Sequence, residues 1–471
     1  MRKTKIVCTI GPASCDEQKL RAMIRAGMNV ARLNFSHGSQ QEHAERAKLI
    51  RKIASEIGHP VGILQDLSGP KIRAGKIASG KTILKPGQKF IFTTRQTIGD
   101  GQSINLPYPE FVEQVKRGSI IYADDARLQF RVIEKTDTDI ITKVVVGGEL
   151  SSNKGISVPG AKISHKSVTE KDLRDIEFGL KIGVDWIALS FVRSAEDRKP
   201  LDEVMAKIGI RRPIIAKIER PEAVDAIDEI IGAFDGIMIA RGDLGIEIPI
   251  YKVPIIQKMI IAKCNAAGKP VITATQMLDS MINNARPTRA EVTDVANAIL
   301  DGTDATMLSG ETAAGAYPVE SVRMMSKIAA ATERSSRYAA ALREKVDSTT
   351  SDVTEAIGEA SAKLAADLKA AAVITCTATG TTARLVSKHR PPAPIVAAVS
   401  RPETVGQLTL SCGVNPISVP ETDSTDVLVY TAVQSAKDAG FIKDGDTVVV
   451  TAGVPVGVPG NTSLIRVVRV A

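Results

Sequence analysis

Eight times along this chain a short run rich in β-branched residues gives way to a longer amphipathic stretch. No other feature restricts the fold as strongly, because that alternation is the rhythm of βα units. The strand candidates are residues 5–10, 29–35, 61–67, 186–191, 213–219, 236–241, 271–276 and 305–309. A helical segment follows each of them; 17–26 has Asp16 as a ready N-cap, and 289–300 is entered through Pro287-Thr288. Eight such units in one domain predict an α/β fold of the (β/α)₈ TIM-barrel type.

One connection departs from the rhythm. About ninety residues separate the third strand from its helix, which resumes near Thr169, and a structureless loop of that length has no place inside a compact domain. The stretch runs apolar or alternates at 81–92, 118–122 and 140–146, with Pro86-Gly87, Arg117-Gly118 and Gly147-Gly148 as punctuation, so an inserted β-barrel lid domain is expected. Residues 343–351 read as a charged linker. Beyond them a helical stretch at 353–368 and strands at 372–377, 395–399 and 446–451 predict an open, mostly parallel α/β sheet. The expected domains are a catalytic barrel (1–69 and 165–342), the insert (70–164) and a C-terminal α/β regulatory domain (343–471).

The 471 residues are 44% hydrophobic and 24% charged, and no apolar run approaches the roughly 20 residues a bilayer crossing needs. No membrane partner is expected. The chain opens on the strand-like Lys5-Ile-Val-Cys-Thr-Ile10 without the apolar segment of a secretory signal, so a cytoplasmic location is expected. Five cysteines (Cys8, Cys15, Cys264, Cys376, Cys412) lack any C-x-x-C pairing, which argues for buried thiols over a disulfide framework or a zinc site. The net charge of +8 is dispersed and only 3% of residues are aromatic, so nucleic acid is not an expected partner, whereas small anionic substrates suit the mild positive excess.

A barrel of this kind gathers its chemistry at the C-terminal ends of its strands. Six ends carry polar residues: Arg32, Asn34, Ser36 and His37 after the second; Asp66, Lys71 and Arg73 after the third; Lys217 and Glu219; Arg241, Gly242 and Asp243; Thr273, Thr275 and Gln276; and Ser309 with Glu311 after the eighth. Any one of these could merely cap a helix or satisfy a loop. Six together argue for a site. Lys217 and Glu219, two apart on a strand, share one face and could form a plain salt bridge. Asp243 adds a second carboxylate from the next strand end, and Mg²⁺ favours one or two carboxylates with water and substrate oxygens completing its octahedron. Glycines in Arg241-Gly-Asp-Leu-Gly245 let backbone N–H groups approach an anion.

These residues lie in longer blocks. Lys5-Ile-Val-Cys-Thr-Ile-Gly-Pro12, Ala31-Arg-Leu-Asn-Phe-Ser-His-Gly38, Ala216-Lys-Ile-Glu219, Ala240-Arg-Gly-Asp-Leu-Gly245, Ile272-Thr-Ala-Thr-Gln-Met-Leu278, Arg286-Pro-Thr-Arg-Ala-Glu291 and Met307-Leu-Ser-Gly-Glu311 resemble the diagnostic blocks of pyruvate kinases, and the similarity runs the length of the chain. The resemblance implies phosphoryl transfer from phosphoenolpyruvate to ADP, giving pyruvate and ATP in the last step of glycolysis, with Mg²⁺ or Mn²⁺ as cofactor, a three-domain chain and a homotetramer. Carried over, Lys217 stabilises charge on the phosphoryl group in flight and on the enolate left behind. Arg32 and Arg73 hold phosphates through their planar, permanently charged forks. Glu219 and Asp243 ligate the metal, and the backbone of Arg241, Gly242 and Asp243 receives the carboxylate of phosphoenolpyruvate. Thr275 helps to relay a proton to the methylene carbon with Ser309 and Glu311 behind it. Asn34, His37, Arg73 and, from the insert, Lys154 meet the nucleotide.

Two positions depart from the family pattern. Many members carry Glu where this chain has Lys71 and Thr where it has Leu67, and those members need K⁺. Leu67 offers no side-chain oxygen to a hard cation, so the Lys71 ammonium, among Asn34, Ser36, Asp66 and Leu67, is expected to replace K⁺ and make it dispensable. Where the family's insert has Asp-Asp-Gly this chain has Asp124-Asp125-Ala126, which argues against φ > 0 at the third position. In the C-terminal domain Thr377-Ala-Thr379-Gly380-Thr381-Thr382 opens a helix after a strand, a favourable place for phosphate, with helix capping as the alternative. The loop 453–460 has no basic or aromatic group for a second phosphate, so the resemblance implies activation by a monophosphate, either a sugar monophosphate or AMP.

Three rival readings share parts of this pattern. Gly75 to Thr82 matches the phosphate-binding pattern G-x-x-x-x-G-K-[ST], but Pro86-Gly87 interrupt the helix that such a loop requires. A Mg²⁺-dependent lyase or mutase acting on phosphoenolpyruvate would share the carboxylates and the substrate, yet would not need the insert or a second basic set at Arg73 and Lys154. A catalytically silent metabolite sensor would be expected to lack Lys217 or Thr275, and this chain has both.

Overall fold

Eight parallel strands hydrogen-bond into a closed ring in the computed structural model, which describes residues 1–160, 167–338, 352–455 and 461–471. The strands are Lys5–Thr9, Val30–Asn34, Gly62–Asp66, Trp186–Leu189, Ile214–Ile218, Gly236–Ala240, Val271–Ala274 and Ala305–Leu308. They pair in chain order, and the last closes on the first with Lys5 opposite Ala305. Every expected strand is present. Each stops a residue or two before its expected C-terminal end, where the chain leaves the ladder for the loops and short helices of the mouth.

Alternation along the strands divides the apolar residues into two cores. Val7, Val30, Leu64, Ile215 and Met238 fill the barrel, whereas Ile6, Leu33, Ile63, Ile214 and Ile237 pack under the surrounding helices. The same period of two carries Arg32, Asp66 and Lys217 onto the inner face, each two residues beyond an interior apolar side chain, at the C-terminal mouth. Helix starts follow the capping rules: Asp16 accepts from the Lys19 N–H at 2.8 Å, and Thr288 with Glu291 forms a reciprocal box on Arg289–Asp301. Thr169 and Asp172 do the same for Glu170–Lys181, the helix that returns the chain from the insert.

The insert is all-β apart from the short helix Pro109–Gln114, and it encloses its own core, in which Phe90, Phe92 and Phe130 meet at ring centroid distances of 5.0 to 5.5 Å. Among the described residues its strands fall into two groups. A six-stranded sheet runs in the order Ile156–Ser157, Ile120–Ala123, Leu128–Lys135, Asp139–Val146, Lys89–Thr93, Ser103–Asn105, and Lys81–Leu84 pairs separately with Gly148–Ser151. Lys81 and Thr82 therefore begin a strand, which excludes the phosphate-loop rival. Ala126 corrects a second expectation: it adopts φ +64°, third in a left-handed run after Asp124 and Asp125.

The C-terminal unit is a five-stranded sheet in the order Val414–Ser418, Ile395–Val399, Ala372–Thr377, Thr447–Gly453, Thr462–Arg469, parallel except for the last strand. It caps the barrel's base, away from the mouth. Leu410 joins the interior barrel core, Trp186 Nε1 donates to the Gln407 carbonyl at 3.0 Å, and Arg390 pairs with Asp304 at 2.9 Å. The expected linker at 343–351, the boundaries at 164/165 and 342/343, and residues 456–460 of the C-terminal loop lie outside the described residues. No helix among the described residues is long and apolar enough to cross a membrane.

Candidate active site

The mouth of the barrel is organised around Asp66. Its carboxylate is fully buried, with one oxygen 2.6 Å from Arg32 Nε and the other 3.2 Å from Lys217 Nζ. Lys217 also lies 2.9 Å from Glu219 Oε1 and donates to Ser190 Oγ at 2.7 Å. Burial alone would strip Lys217 of its proton, but Asp66 and Glu219 outweigh it and hold the ammonium above the usual lysine range. Burial would likewise raise Asp66, and Arg32 with Lys217 reverse that and bring it below the usual carboxylate range. For Glu219 burial prevails over Lys217, with Asp243 adding to it, so its proton affinity is raised. A charged ammonium and a guanidinium thus face the same space, each anchored from behind on one carboxylate.

Asp243 stands at the start of the short helix Arg241–Glu247, directly after the sixth strand. Its charge reaches both Lys217 and Glu219. Lys71 Nζ lies 3.2 Å from Asp243 Oδ1 and 3.7 Å from Asp125 Oδ1 of the insert. Burial opposes the Lys71 charge, but those two carboxylates keep its proton affinity raised. The surroundings differ from the expected shell: Asp66 closes on Arg32 and Lys217, and Asn34 Oδ1 accepts the Ser36 backbone N–H at 3.1 Å.

The remaining expected residues are distributed around this cluster. Thr275 and Gln276 leave the seventh strand with φ +67° and +53°, and Thr275 Oγ1 accepts the Gly242 N–H at 2.7 Å while donating to the Ala274 carbonyl at 2.6 Å. The Arg241 side chain turns back to Asp294 at 2.8 Å and to the Thr275 carbonyl at 2.8 Å, leaving only its backbone toward the site. Glu311 receives the N–H groups of Ser309 and Leu278 at 2.7 and 3.1 Å, and burial raises its proton affinity. The Ser309 hydroxyl is buried and has no hydrogen-bond partner. His37 loses proton affinity first through burial, then through Arg73, Arg32 and Lys71, so it is a neutral imidazole in a basic surrounding. Arg73 donates to the Asn153 carbonyl at 3.1 Å, and Lys154 pairs with Asp124 at 2.6 Å, so both expected nucleotide contacts of the insert are engaged within it.

Sequence reasoning passed over two strand ends. Thr9, the last residue of the first strand, accepts from Arg32 Nη1 at 2.8 Å, and Ser190, directly after the fourth, holds Lys217. The strand-end rule itself was the signal that could have found them.

In the C-terminal domain Thr377, Thr379, Thr381 and Thr382 line a cavity with Ser400, Thr422 and Asn461 at the start of helix Thr381–Lys388. Gly380, at φ +82°, places its N–H on Thr377 Oγ1 at 2.9 Å. No lysine or arginine lines this cavity among the described residues.

Residues 1–322 match the family described as pyruvate kinase, barrel domain, and residues 355–468 match pyruvate kinase, alpha/beta domain. Over 469 residues the chain is 48% identical to a pyruvate kinase of Geobacillus stearothermophilus, covering 99% of this chain and 80% of that one. It is 46% identical over 469 residues to a pyruvate kinase of Clostridium acetobutylicum, covering 99% of each, and 47% identical over 471 residues to pyruvate kinase 2 of Synechocystis, covering 99% of this chain and 79% of that one.

Proposed function

The chain belongs to the pyruvate kinase family of phosphotransferases, and from that premise we propose that it moves the phosphoryl group of phosphoenolpyruvate to ADP at the barrel mouth, with Lys217 as the charge against which the transferring group develops. The observation that carries this is a chain of ionic contacts at the mouth, Arg32 to Asp66 at 2.6 Å, Asp66 to Lys217 at 3.2 Å and Lys217 to Glu219 at 2.9 Å. Cations held rigidly where charge develops need no reorganisation in the transition state, which is the main source of catalysis in phosphoryl transfer.

The donor set fits a divalent cation. Glu219 and Asp243 supply two carboxylates whose charges reach one another, and Mg²⁺ or Mn²⁺ favours one or two carboxylates with water and substrate oxygens in its remaining positions. Such an ion neutralises phosphate and enolate oxygens when bound. Arg32 and Arg73 hold phosphates, the backbone from Arg241 to Asp243 takes the substrate carboxylate, and Asn34, His37 and Lys154 take the nucleotide. Thr275, backed by Ser309 and Glu311, orients the proton that reaches the methylene carbon.

Lys71 places a permanent positive charge beside Asp243, which supports activity without K⁺. The threonine hydroxyls of Thr377, Thr379, Thr381 and Thr382 at the start of a helix support a phosphate-bearing activator, which we take to be a monophosphate, a sugar monophosphate or AMP. Exposed apolar side chains at Ile250, Tyr251 and Ile255 on the barrel, and at Val427 and Tyr430 on the C-terminal domain, support a homotetramer, and the substrates favour a cytoplasmic location.

A coupled assay of pyruvate formation tests the whole reading. Activity is expected to require ADP and Mg²⁺, to persist in Na⁺- and K⁺-free buffer, and to respond to a monophosphate at subsaturating phosphoenolpyruvate. Pyruvate formation without ADP would point to the lyase rival. A many-fold rise on adding K⁺ would remove the role given to Lys71, and activation solely by a sugar bisphosphate would remove the monophosphate.

A further inference from the structure

The turn after the fourth barrel strand is placed unlike any other at the mouth. Ser190 is 2% exposed, and its hydroxyl accepts from Lys217 Nζ at 2.7 Å while donating to the Leu67 carbonyl at 2.7 Å, so its single proton is committed and a lone pair is aimed at the ammonium. The next residue, Phe191, has φ +55°, a left-handed backbone that is uncommon for a bulky residue. In that conformation its N–H donates to Glu219 Oε2 at 2.8 Å. Two consecutive residues therefore hold the two groups on which the proposed chemistry depends.

The same two residues press on the stretch from which the insert departs. Gly69 lies so close that a Cβ there would stand 2.8 Å from the Phe191 ring and 2.9 Å from Ser190 Cβ. The ring also carries the Arg220 guanidinium 5.9 Å from its centroid, and Arg220 is held by Glu247 at 3.4 Å, at the far end of the helix that begins with Arg241. Phe191 is thus packed between the root of the insert and the elements bearing Glu219 and Asp243. That packing retains a strained backbone which otherwise has no reason to persist.

We propose that the Ser190-Phe191 turn is a positioning element that aims Lys217 and Glu219 together and ties that aim to the Leu67–Gly69 root of the inserted domain. The inference rests on Glu219 being a metal ligand. A side chain or N–H that orients a ligating carboxylate from behind acts on metal affinity, and its loss typically costs about 10 to 100-fold in binding. Loss of the Ser190 hydroxyl releases one of three restraints on the Lys217 ammonium, and misplacement of a reacting group by about 1 Å costs on the order of 10²-fold in rate.

The test uses the full-length enzyme with Mn²⁺ as the probe, its free concentration read by electron paramagnetic resonance without substrates, alongside steady-state kinetics and thermal melts. Phe191→Ala is expected to weaken Mn²⁺ binding about tenfold, Phe191→Tyr, which keeps the ring, to restore it, and Ser190→Ala to lower kcat about 10²-fold at nearly unchanged KM for phosphoenolpyruvate. Glu219→Gln is the control. If that change leaves Mn²⁺ binding intact, the metal site itself is misplaced. If Glu219→Gln weakens binding but Phe191→Ala lowers only the melting temperature, or Ser190→Ala keeps kcat within about twofold of the parent, a value far below what misplacement predicts, the positioning role is wrong and the metal site stands.

Discussion

Lys217 at the mouth of the barrel and Lys5 at its base are both nearly sealed from solvent, at 9% and 4% exposure, yet the fold drives their proton affinities in opposite directions. Lys217 is raised because Asp66 and Glu219 overcome its burial. Lys5 is brought down to about 8, first by burial and then by Arg2, and its ammonium reaches only the Val414 carbonyl at 2.5 Å. A carbonyl dipole returns much less of the desolvation energy than two carboxylates do. The difference shows that burial does not decide whether a cation stays charged; its neighbours do. At the mouth they are arranged to keep a cation available to an anionic substrate, whereas at the base Lys5 is a seam between the barrel and the C-terminal sheet.

Lys217→Met breaks the comparison at its stronger side. Removing a preorganised charge of this kind is expected to lower kcat by about 10³-fold, and Lys217→Arg should not restore it, because a planar fork cannot occupy the place of a compact ammonium between Asp66, Glu219 and Ser190. Steady-state assays decide the matter, and a loss within about tenfold, well below that range, would mean that Lys217 is only a structural counterion. Lys5→Met should act on stability instead. A folded-state value of about 8 against an ordinary 10.5 means that the folded protein penalises the charged form. That penalty is complete below pH 8, shrinks as pH rises toward 10.5 and is absent above it. Replacing Lys5 is therefore expected to stabilise the protein at pH 7 by up to roughly 3 kcal/mol, with the advantage gone near pH 11 and kcat unchanged. Chemical denaturation at the two pH values reads this; a destabilised variant at pH 7 would show that the Val414 contact outweighs desolvation.

The mouth was far more legible in the sequence than the base. Arg32 and Lys217 stand at strand ends whose period of two fixes which side chains face inward, and Glu219 and Asp243 follow directly on such ends, so local pattern and barrel topology suffice to bring them to one mouth. The base depends on pairs such as Arg390 with Asp304 and Lys5 with Val414, which come from different domains and carry no periodic signal. The same limit hid the partners of Lys71, since Asp243 and Asp125 lie on different units and neither belongs to the expected shell of Asn34, Ser36, Asp66 and Leu67. In the C-terminal sheet the strands passed over were the edges. Val414–Ser418 contains Pro416, a residue that demotes a run to an edge strand, and Thr462–Arg469 is largely exposed with arginines interleaved. Ala126 misled because alanine disfavours a left-handed backbone in isolation, and the Asp124 to Arg127 turn imposes it.

Two buried serines sharpen the contrast with smaller effects. The hydroxyls of Ser309 at the mouth and Ser411 at the base both lack a hydrogen-bond partner, and an unsatisfied buried hydroxyl costs about 1 to 3 kcal/mol wherever it lies. Ser411 faces a junction that no substrate enters, so Ser411→Ala should leave kcat unchanged and raise stability by about 1 kcal/mol. Ser309 stands at the end of the eighth strand beside Glu311, which accepts its N–H at 2.7 Å, and its unpartnered hydroxyl is the one proposed to serve the substrate. Ser309→Ala should lower kcat by about 10²-fold, the low end for a group that positions a proton transfer, while stability rises as it does for Ser411. Kinetics and melting curves on the pair separate the two roles. If both variants are stabilised and fully active, the Ser309 orphan is as incidental as the other, and the proton relay proposed behind Thr275 must do without it.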